Sequence, residues 1–394
     1  MKILIVGVGA QGSVIATEIV KSPEVSEVRL SDIDLKKAEK LAKRLKSEKV
    51  STHRVDANIV NDIMRTAKGA DIIVNATTWN AKFNLNIMEA ALKGGAHYQD
   101  LASYPPQQLK LSDRWKEARL TALIDTGVSP GFTNVLAAQA ADKLDRVEEI
   151  HIRLWAAAES EAPVSLWSPE TAWGDMAAEP IVYENGEYKE VPPFSGEEVY
   201  TFPDPIGTQT VYMHSHEEPE TLPRFIGKGV RYVDFKMGGP DFPIAKAIIE
   251  FGLMSDKPIN VKGVKVAPRD IFLALVPPTP SMEEMEKTIK AGMLSMRGCV
   301  AADVKGKKGD AKMRYIHYSL FPDIKELMKR MPGANPVAYV TSVPASVFTR
   351  MLAKGEIETR GVIAPEALEP EVRKAFLAEL AGKGITVHER MERC

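Results

Sequence analysis

The chain predicts an α/β protein: an N-terminal doubly wound Rossmann domain followed by a second α+β domain on a mixed, largely antiparallel sheet. Three observations carry this prediction. Gly7, Gly9 and Gly12 directly follow an apolar strand at the extreme N-terminus; strand and helix patterns then alternate as far as Asp125; and after Gly127 the pattern changes to half-buried, hairpin-forming segments. The expected division is a dinucleotide-binding domain over 1–127, a substrate domain over 128–336, and a helical segment over 337–394 packing back toward the first domain.

The first strand, Ile3-Leu4-Ile5-Val6, is apolar without alternation, as the buried centre of a parallel sheet requires. In the run GVGAQG the first glycine permits a tight turn, the second lets the backbone approach a pyrophosphate, and the third permits close helix-to-strand packing. The phosphates then rest on free amides at the start of the following helix, around Ala10 and Gln11. Asp32 ends the next strand-like run, where a carboxylate accepts hydrogen bonds from an adenosine ribose. It repels a 2′-phosphate and so favours NAD, with NADP as the alternative and Lys36 and Lys37 close enough to soften the preference.

A helix from Leu35, a strand ending at Asp56, a short helix, and the strand Asp71 to Asn75 continue the alternation; strands from Ala96 and from Thr121 complete it. Ligands of such sheets lie beyond the carboxyl ends of the strands, so the loops at Gly7, Asp32, Asp56, Asn75, Asp100 and Asp125 border one cleft. Asp56 faces the adenine or caps the next helix. Asn75, Ala76 and Thr77 lie where a nicotinamide ribose passes. Trp79, with Asn80 and Phe83, shields the nicotinamide from water or serves ordinary packing, and Tyr98 and Asp100 form a proton relay or fix their loop.

In the second half, Asn185-Gly186 signals a hairpin, Thr208 to Met213 and Val230 to Met237 alternate as strands, and Gly306 to Asp310 joins two more. Val276 to Pro280 reads as a stiff connector, and the tail as two helices and a short strand at Ile385 to Val387. The densest polar chemistry is His214, His216, Glu217, Glu218, Thr221 and Arg224. Strand alternation sets the two histidines on one face, where a histidine and a carboxylate suit proton transfer from an amine and activation of water. A solvated loop with one core histidine is the plainer reading. No metal is expected: the His-x-His pair lacks an obvious third ligand, and hydride transfer needs none. An amino-acid substrate needs its carboxylate captured, for which Arg224 is the first candidate and Arg231 and Arg314 the others, although each of them is more often a surface salt-bridge partner.

Composition limits the partners. At 394 residues and a net charge of -2 the chain is long enough for two or three domains and offers no general basic field for nucleic acid. No apolar run approaches the roughly 18 residues of a membrane span, and the first strand reaches Gly7 too early for a signal peptide, so the cytoplasm is the expected location. Cys299 and Cys394 are too far apart in sequence to suggest a disulfide framework or a zinc site.

GVGAQG, the junction DTGVSPGFTN (Asp125 to Asn134), MHSHEEPETLPR (Met213 to Arg224) and the tail PASVFTRMLAKGEIETRGVIAPE (Pro344 to Glu366) together resemble the saccharopine dehydrogenase-like oxidoreductases over nearly the whole chain. That family includes saccharopine dehydrogenases and reductases, lysine 6-dehydrogenase and carboxynorspermidine synthase. The resemblance implies a Rossmann domain with an inserted mixed-sheet substrate domain, a nicotinamide cofactor, a homodimer, and hydride transfer at a carbon bearing nitrogen. It further implies that Asp125 and Asn134 shape the cleft, although both also suit helix capping. The expected activity is NAD(P)-dependent oxidation of an amino acid of lysine or saccharopine type. The alternatives are carboxynorspermidine-type reductive coupling in polyamine synthesis and an NAD-binding regulator without turnover.

Overall fold

A computed structural model describes residues 1–161 and 163–393. The first sheet is 7-stranded and wholly parallel. Its strands are β1 (Lys2–Val6), β2 (Glu27–Asp32), β3 (Val50–Arg54), β4 (Ile72–Asn75), β5 (His97–Asp100), β6 (Thr121–Leu123) and Gly361–Ile363. They lie in the order Gly361–Ile363, β6, β5, β4, β1, β2, β3. The order reverses between β1 and β4, the switch point at which doubly wound sheets open a crevice. Side-chain alternation along β1 feeds two cores. Ile3 and Ile5 pack with Val14 and Ile15 of the helix α1 (Ala10–Ile19), whereas Leu4 and Val6 pack with Ile63, Ile87 and Met88 on the other face. An unalternating apolar strand in the sequence is therefore a strand with a core on each side.

The second sheet is mixed and 9-stranded. Its central strand β7 (Arg146–Ser160) runs parallel to Tyr232–Gly238 on one side and antiparallel to Leu294–Lys308 on the other. Thr208–Met213 and Glu198–Thr201 extend one edge, Ala311–Leu320 and His388–Arg393 the other. The Asn185-Gly186 turn joins Ile181–Glu184 to Glu187–Glu190, and both residues take positive φ as such a turn demands. One face of this sheet, with Ile150, Ile152, Val233 and Val304, belongs to the same core as α1. That core continues through the helix Pro336–Lys354, whose Val343, Val347 and Met351 are buried in it.

The tail differs from expectation in two places. The strand expected at Ile385 to Val387 begins at His388 and pairs with Ala311–Leu320 in the second sheet, because Ile385 is spent as a buried core residue. A strand not expected, Gly361–Ile363, pairs with β6 in the first sheet. The tail thus supplies a strand to each of the two large sheets. No described helix is long and apolar enough to cross a membrane. Cys299 is buried and unpaired; Cys394, the other cysteine considered, lies outside the described residues.

Candidate active site

A cleft of about 1310 Å³ runs from the switch point to the second domain. Its floor is the glycine turn, and the three glycines are required for three different reasons. Gly7 has φ of 92°, and a Cβ there would lie 2.6 Å from the Ala76 carbonyl oxygen. Gly12 sits inside α1, and a Cβ would lie 2.0 Å from the carbonyl oxygen of Gly7, so helix and strand could not approach. Around Gly9 there is nothing within 4 Å: the backbone is open to the cleft at the start of α1, with Ala10 and Gln11 beside it. This cradle fits a dinucleotide pyrophosphate.

Asp32 is held rigidly at the cleft wall. Its Oδ2 accepts from the Val8 amide at 3.1 Å and its Oδ1 from the Asp34 amide at 3.0 Å, tying the glycine turn to the helix α2 (Leu35–Leu45). Asp56 also lines the cleft, but its Oδ1 accepts from the amide and side chain of Asn58, closing a turn rather than capping the helix Val60–Ala67. Asn75 ends β4 with its side chain in use at both ends: Oδ1 accepts from Thr77, and Nδ2 donates to Tyr98 Oη at 3.2 Å. Asn75, Ala76, Thr77 and Trp79 all border the cleft. Trp79 is anchored by an Nε1 hydrogen bond to the Ser103 carbonyl at 2.7 Å.

Several expected site residues stand behind the wall rather than in it. Tyr98 and Asp100 are fully buried, linked by a 2.9 Å hydrogen bond. Asp100 also accepts from Gln108, Asn84 and the Asp125 amide. They reach the cleft through Asn75 and Asn84, so of the two readings, a relay or a fixed loop, the network fits the second. Asn134 and Thr221 are likewise sealed in a junction where Asn134 Nδ2 donates to Thr221 Oγ1 at 3.1 Å and to Glu366 Oε2 at 3.0 Å. Arg224 is exposed on the outer turn of the helix Glu218–Ile226 and does not line the cleft. Arg231 pairs with Glu148, and Arg314 with Asp303 and Glu392 on the far face of the second sheet. The carboxylate-capturing arginine expected from sequence is therefore not among the cleft residues. The rule that arginine suits a carboxylate says nothing about which side of a helix the arginine occupies.

The histidine stretch does face the cleft. His214 and His216 follow the strand Thr208–Met213 instead of continuing it, and a turn brings their rings 5.7 Å apart. His216 stacks on Phe235 at 3.9 Å and bonds through Nδ1 to Glu218 Oε2 at 2.9 Å. Glu218 in turn accepts from Ser129 and Thr133, at the junction motif. Burial would lower the His216 pKa, but the Glu218 charge outweighs it, and the net shift is upward, while that of Glu218 is downward: both shifts favour the imidazolium–carboxylate form of the pair. His214 is the opposite case. Burial and the neighbouring His216 push it down to about 3, so it stays neutral. Its Nδ1 donates to the Ser215 carbonyl at 3.0 Å, which leaves Nε2 as an acceptor.

Glu217 lines the cleft, and burial together with the nearby Asp125, Asp175 and Glu218 carboxylates raises its pKa well above the ordinary value. Ligand atoms of His216, Glu217 and Glu218 lie within 4.8 Å of one another, so the third donor that the sequence did not reveal is supplied by these glutamates and not by His214. Glu218 is already saturated by its hydroxyl and imidazole donors, which suits an ion pair. Asp175 was missed by sequence reading. It lies in the last turn of the helix Pro169–Ala177, lines the cleft, and is raised by burial to about 7. An acid at a helix C-terminus opposes the macrodipole, and that was the available signal.

The saccharopine dehydrogenase NADP binding domain model matches residues 3–123, and the saccharopine dehydrogenase C-terminal domain model matches residues 127–385. Carboxyaminopropylagmatine dehydrogenase of Synechocystis is 28% identical, covering 98% of this chain and 97% of its own. Carboxynorspermidine synthase of Vibrio cholerae is 27% identical, covering 94% and 93%. Among solved structures, apo saccharopine dehydrogenase (L-Glu forming) from Saccharomyces cerevisiae shares the fold with a TM-score of 0.73 at 15% identity, over 99% of each chain. With both domain models matched along the chain and an open glycine cradle at the switch point, the protein belongs to the saccharopine dehydrogenase family of NAD(P)-dependent oxidoreductases.

Proposed function

We propose that the protein interconverts a secondary amine and its imine in a carboxylated polyamine, the kind of compound that appears in the names of its relatives, in preference to oxidising lysine or saccharopine. The observation that carries this reading is the charge of the cleft. Its lysines and arginine are Lys37, Lys40, Lys43 and Arg44, all on α2 at the adenosine end. At the substrate end the titratable residues among those described are Glu170, Asp175, His214, His216 and Glu217. Such a wall carries no lysine or arginine to repel a chain of ammonium groups, and the oxygens of Glu170, Asp175 and Glu217 can accept hydrogen bonds from them. The His216 imidazolium is its one cationic group, suited to a single carboxylate.

When bound, the nicotinamide supplies the hydride acceptor or donor. The chain's residues handle the proton. Oxidation requires the amine nitrogen to lose a proton, and Asp175, at about 7, is the group best matched to accept it near neutral pH. Protonated Glu217 and the Nε2 lone pair of His214 orient the nitrogen by donating and accepting. Trp79 and Phe83 cover the reacting face from water. Asp32 at the ribose position supports NAD over NADP.

The test is turnover with NAD or NADP and each of carboxynorspermidine, carboxyaminopropylagmatine, saccharopine and lysine, followed by the absorbance of reduced nicotinamide. A carboxylated polyamine should exceed saccharopine and lysine in kcat/KM by roughly 10- to 100-fold, the value of one charge-assisted contact. A preference for saccharopine or lysine would overturn the reading.

A further inference from the structure

The strap Val276–Ser281, which leaves the helix Pro268–Leu275 of the second domain, and the start of the helix Met282–Lys290 that follows it border the cleft at its adenosine end. Pro278, Thr279, Pro280, Ser281, Met282, Glu283 and Glu284 line the same space as Gly9, Asp32 and Lys37. The strap is fastened at both ends. On the second-domain side Ser165 Oγ donates to the Pro277 carbonyl at 2.6 Å, and Thr279 Oγ1 donates to the Trp167 carbonyl at 2.7 Å. On the first-domain side Lys40 Nζ reaches Ser281 Oγ at 3.3 Å and Glu283 at 3.5 Å. Arg44 pairs with Glu286 at 2.8 Å and donates to the Pro332 carbonyl at 2.7 Å. Gly333 leaves the room this needs: a Cβ there would lie 2.1 Å from the Met282 carbonyl oxygen and 3.1 Å from the Arg44 guanidinium.

From this we infer that Glu283 and Glu286 are determinants of cofactor choice: by engaging Lys40 and Arg44 they withhold from a 2′-phosphate the cations that would otherwise bind it. The inference rests on the NAD(P) reading of the cleft. Asp32 alone disfavours the 2′-phosphate, yet α2 offers four cations on the cleft wall, enough to overcome one carboxylate. Glu283 and Glu286 neutralise two of them from the opposite side. Each glutamate is also paired with a lysine of its own helix, Glu283 with Lys287 at 3.7 Å and Glu286 with Lys290 at 2.7 Å, so its effect at the cleft is exerted through the α2 cation it holds. Lys40 and Glu283 are about half exposed, so the bridge is one that a phosphate can compete for and salt can weaken. The device differs from the usual one, in which the discriminating group follows the second strand of the same domain. Here part of the discrimination comes from the other domain.

The experiment is equilibrium binding of NADH and of NADPH to the full-length protein without substrate, read by quenching of tryptophan fluorescence; Trp79 and Trp167 both line the cleft. The variants are Glu283→Gln, Glu286→Gln and the pair together. The double variant should bind NADPH about tenfold more tightly while NADH changes by less than about twofold, and added salt should shrink the difference. Adding Lys40→Ala to the double variant should remove the gain. NADPH affinity that does not move, or a parallel change in both nucleotides, overturns the inference and leaves the strap a structural tie. Wild-type protein that binds neither nucleotide overturns the NAD(P) reading itself, and this inference with it.

Discussion

Asp175 and Glu217 face one another across the substrate end of the cleft with His216 beside them, and burial raises both. For oxidation the base must be unprotonated, so the rate should rise through about pH 7 to a plateau, and the reductive direction should fall over the same interval. Asp175→Asn should lower kcat about 100-fold or more and remove that limb from the pH–rate profile, whereas a merely structural role would leave the limb in place. The glycines allow a sharper separation of fold from binding. Gly9→Ala, at a position with open space, should fold with unchanged Tm and bind nucleotide at least about tenfold more weakly. Gly12→Ala, which drives a Cβ to 2.0 Å from backbone, should lose stability by several kcal/mol on the order of an overpacked core, as read by denaturant unfolding. The places of Gly7, Gly9 and Gly12 in the turn and of Asp32 at the cleft wall were legible in the sequence because they depend on local backbone geometry. Arg224 and Thr221 were misplaced because their residue types gave no information about the facing of a helix that begins only after Glu217.

At the scale of elements, the outer face of the second sheet is held by charge where its inner face is held by apolar packing. Alternation along β7 sends Ile150 and Ile152 inward and Glu149, His151 and Arg153 outward. Arg153 is buried and pairs with Asp234 at 2.8 Å and with Glu198 at 2.8 Å, while His151 bridges Asp234 and Glu149. Burial would raise Asp234, but Arg153 and His151 outweigh it, and the carboxyl is held far below its usual range. Its contribution is present above the unfolded pKa of about 3.9 and lost as pH falls below it. The raised His151 contributes below about 6.5 and loses that contribution as pH rises through its elevated folded value. Asp234→Asn should cost about 3–5 kcal/mol in urea unfolding near neutral pH, because Arg153 is left buried without its main counter-charge. The strands of this sheet were legible where turn signals bounded them, as at Asn185-Gly186 and around Gly309. Their charged outer face was not, because alternating charge in a strand reads equally well as a solvated surface.

For the whole molecule, the balance of buried titratable groups sets a pH optimum. Asp100 and Glu366 are raised to about 7 by burial, so the unfolded chain releases those protons first and stability declines as pH rises from about 4 to about 7. His214, held down at about 3, works in the other direction: stability falls as pH drops below about 6.5, where the unfolded histidine takes up a proton. Two raised acids outweigh one lowered histidine above about pH 4, so Tm should be highest near about pH 4 and decline steadily toward about pH 8. Glu366→Gln should stabilise the protein at about pH 8 relative to its effect at about pH 5, by roughly 2–3 kcal/mol, since the Gln side chain has no charge to bury. The two-sheet architecture was legible from the change of pattern at Gly127. The crossing of the tail was not: Gly361–Ile363 is only three residues long, and its place is decided by an unfilled edge more than 200 residues earlier in the chain.

That edge has a consequence for how the protein is made. Thr121 Oγ1 donates to the Thr359 carbonyl across 238 residues, and the Ile124 amide donates to Ile363. At the usual 5–20 residues per second, the nascent nucleotide-binding sheet carries an unpaired β6 for roughly 10–50 s before its last strand leaves the ribosome. Through that interval the whole second domain is being synthesised beside an open strand that any extended segment could occupy.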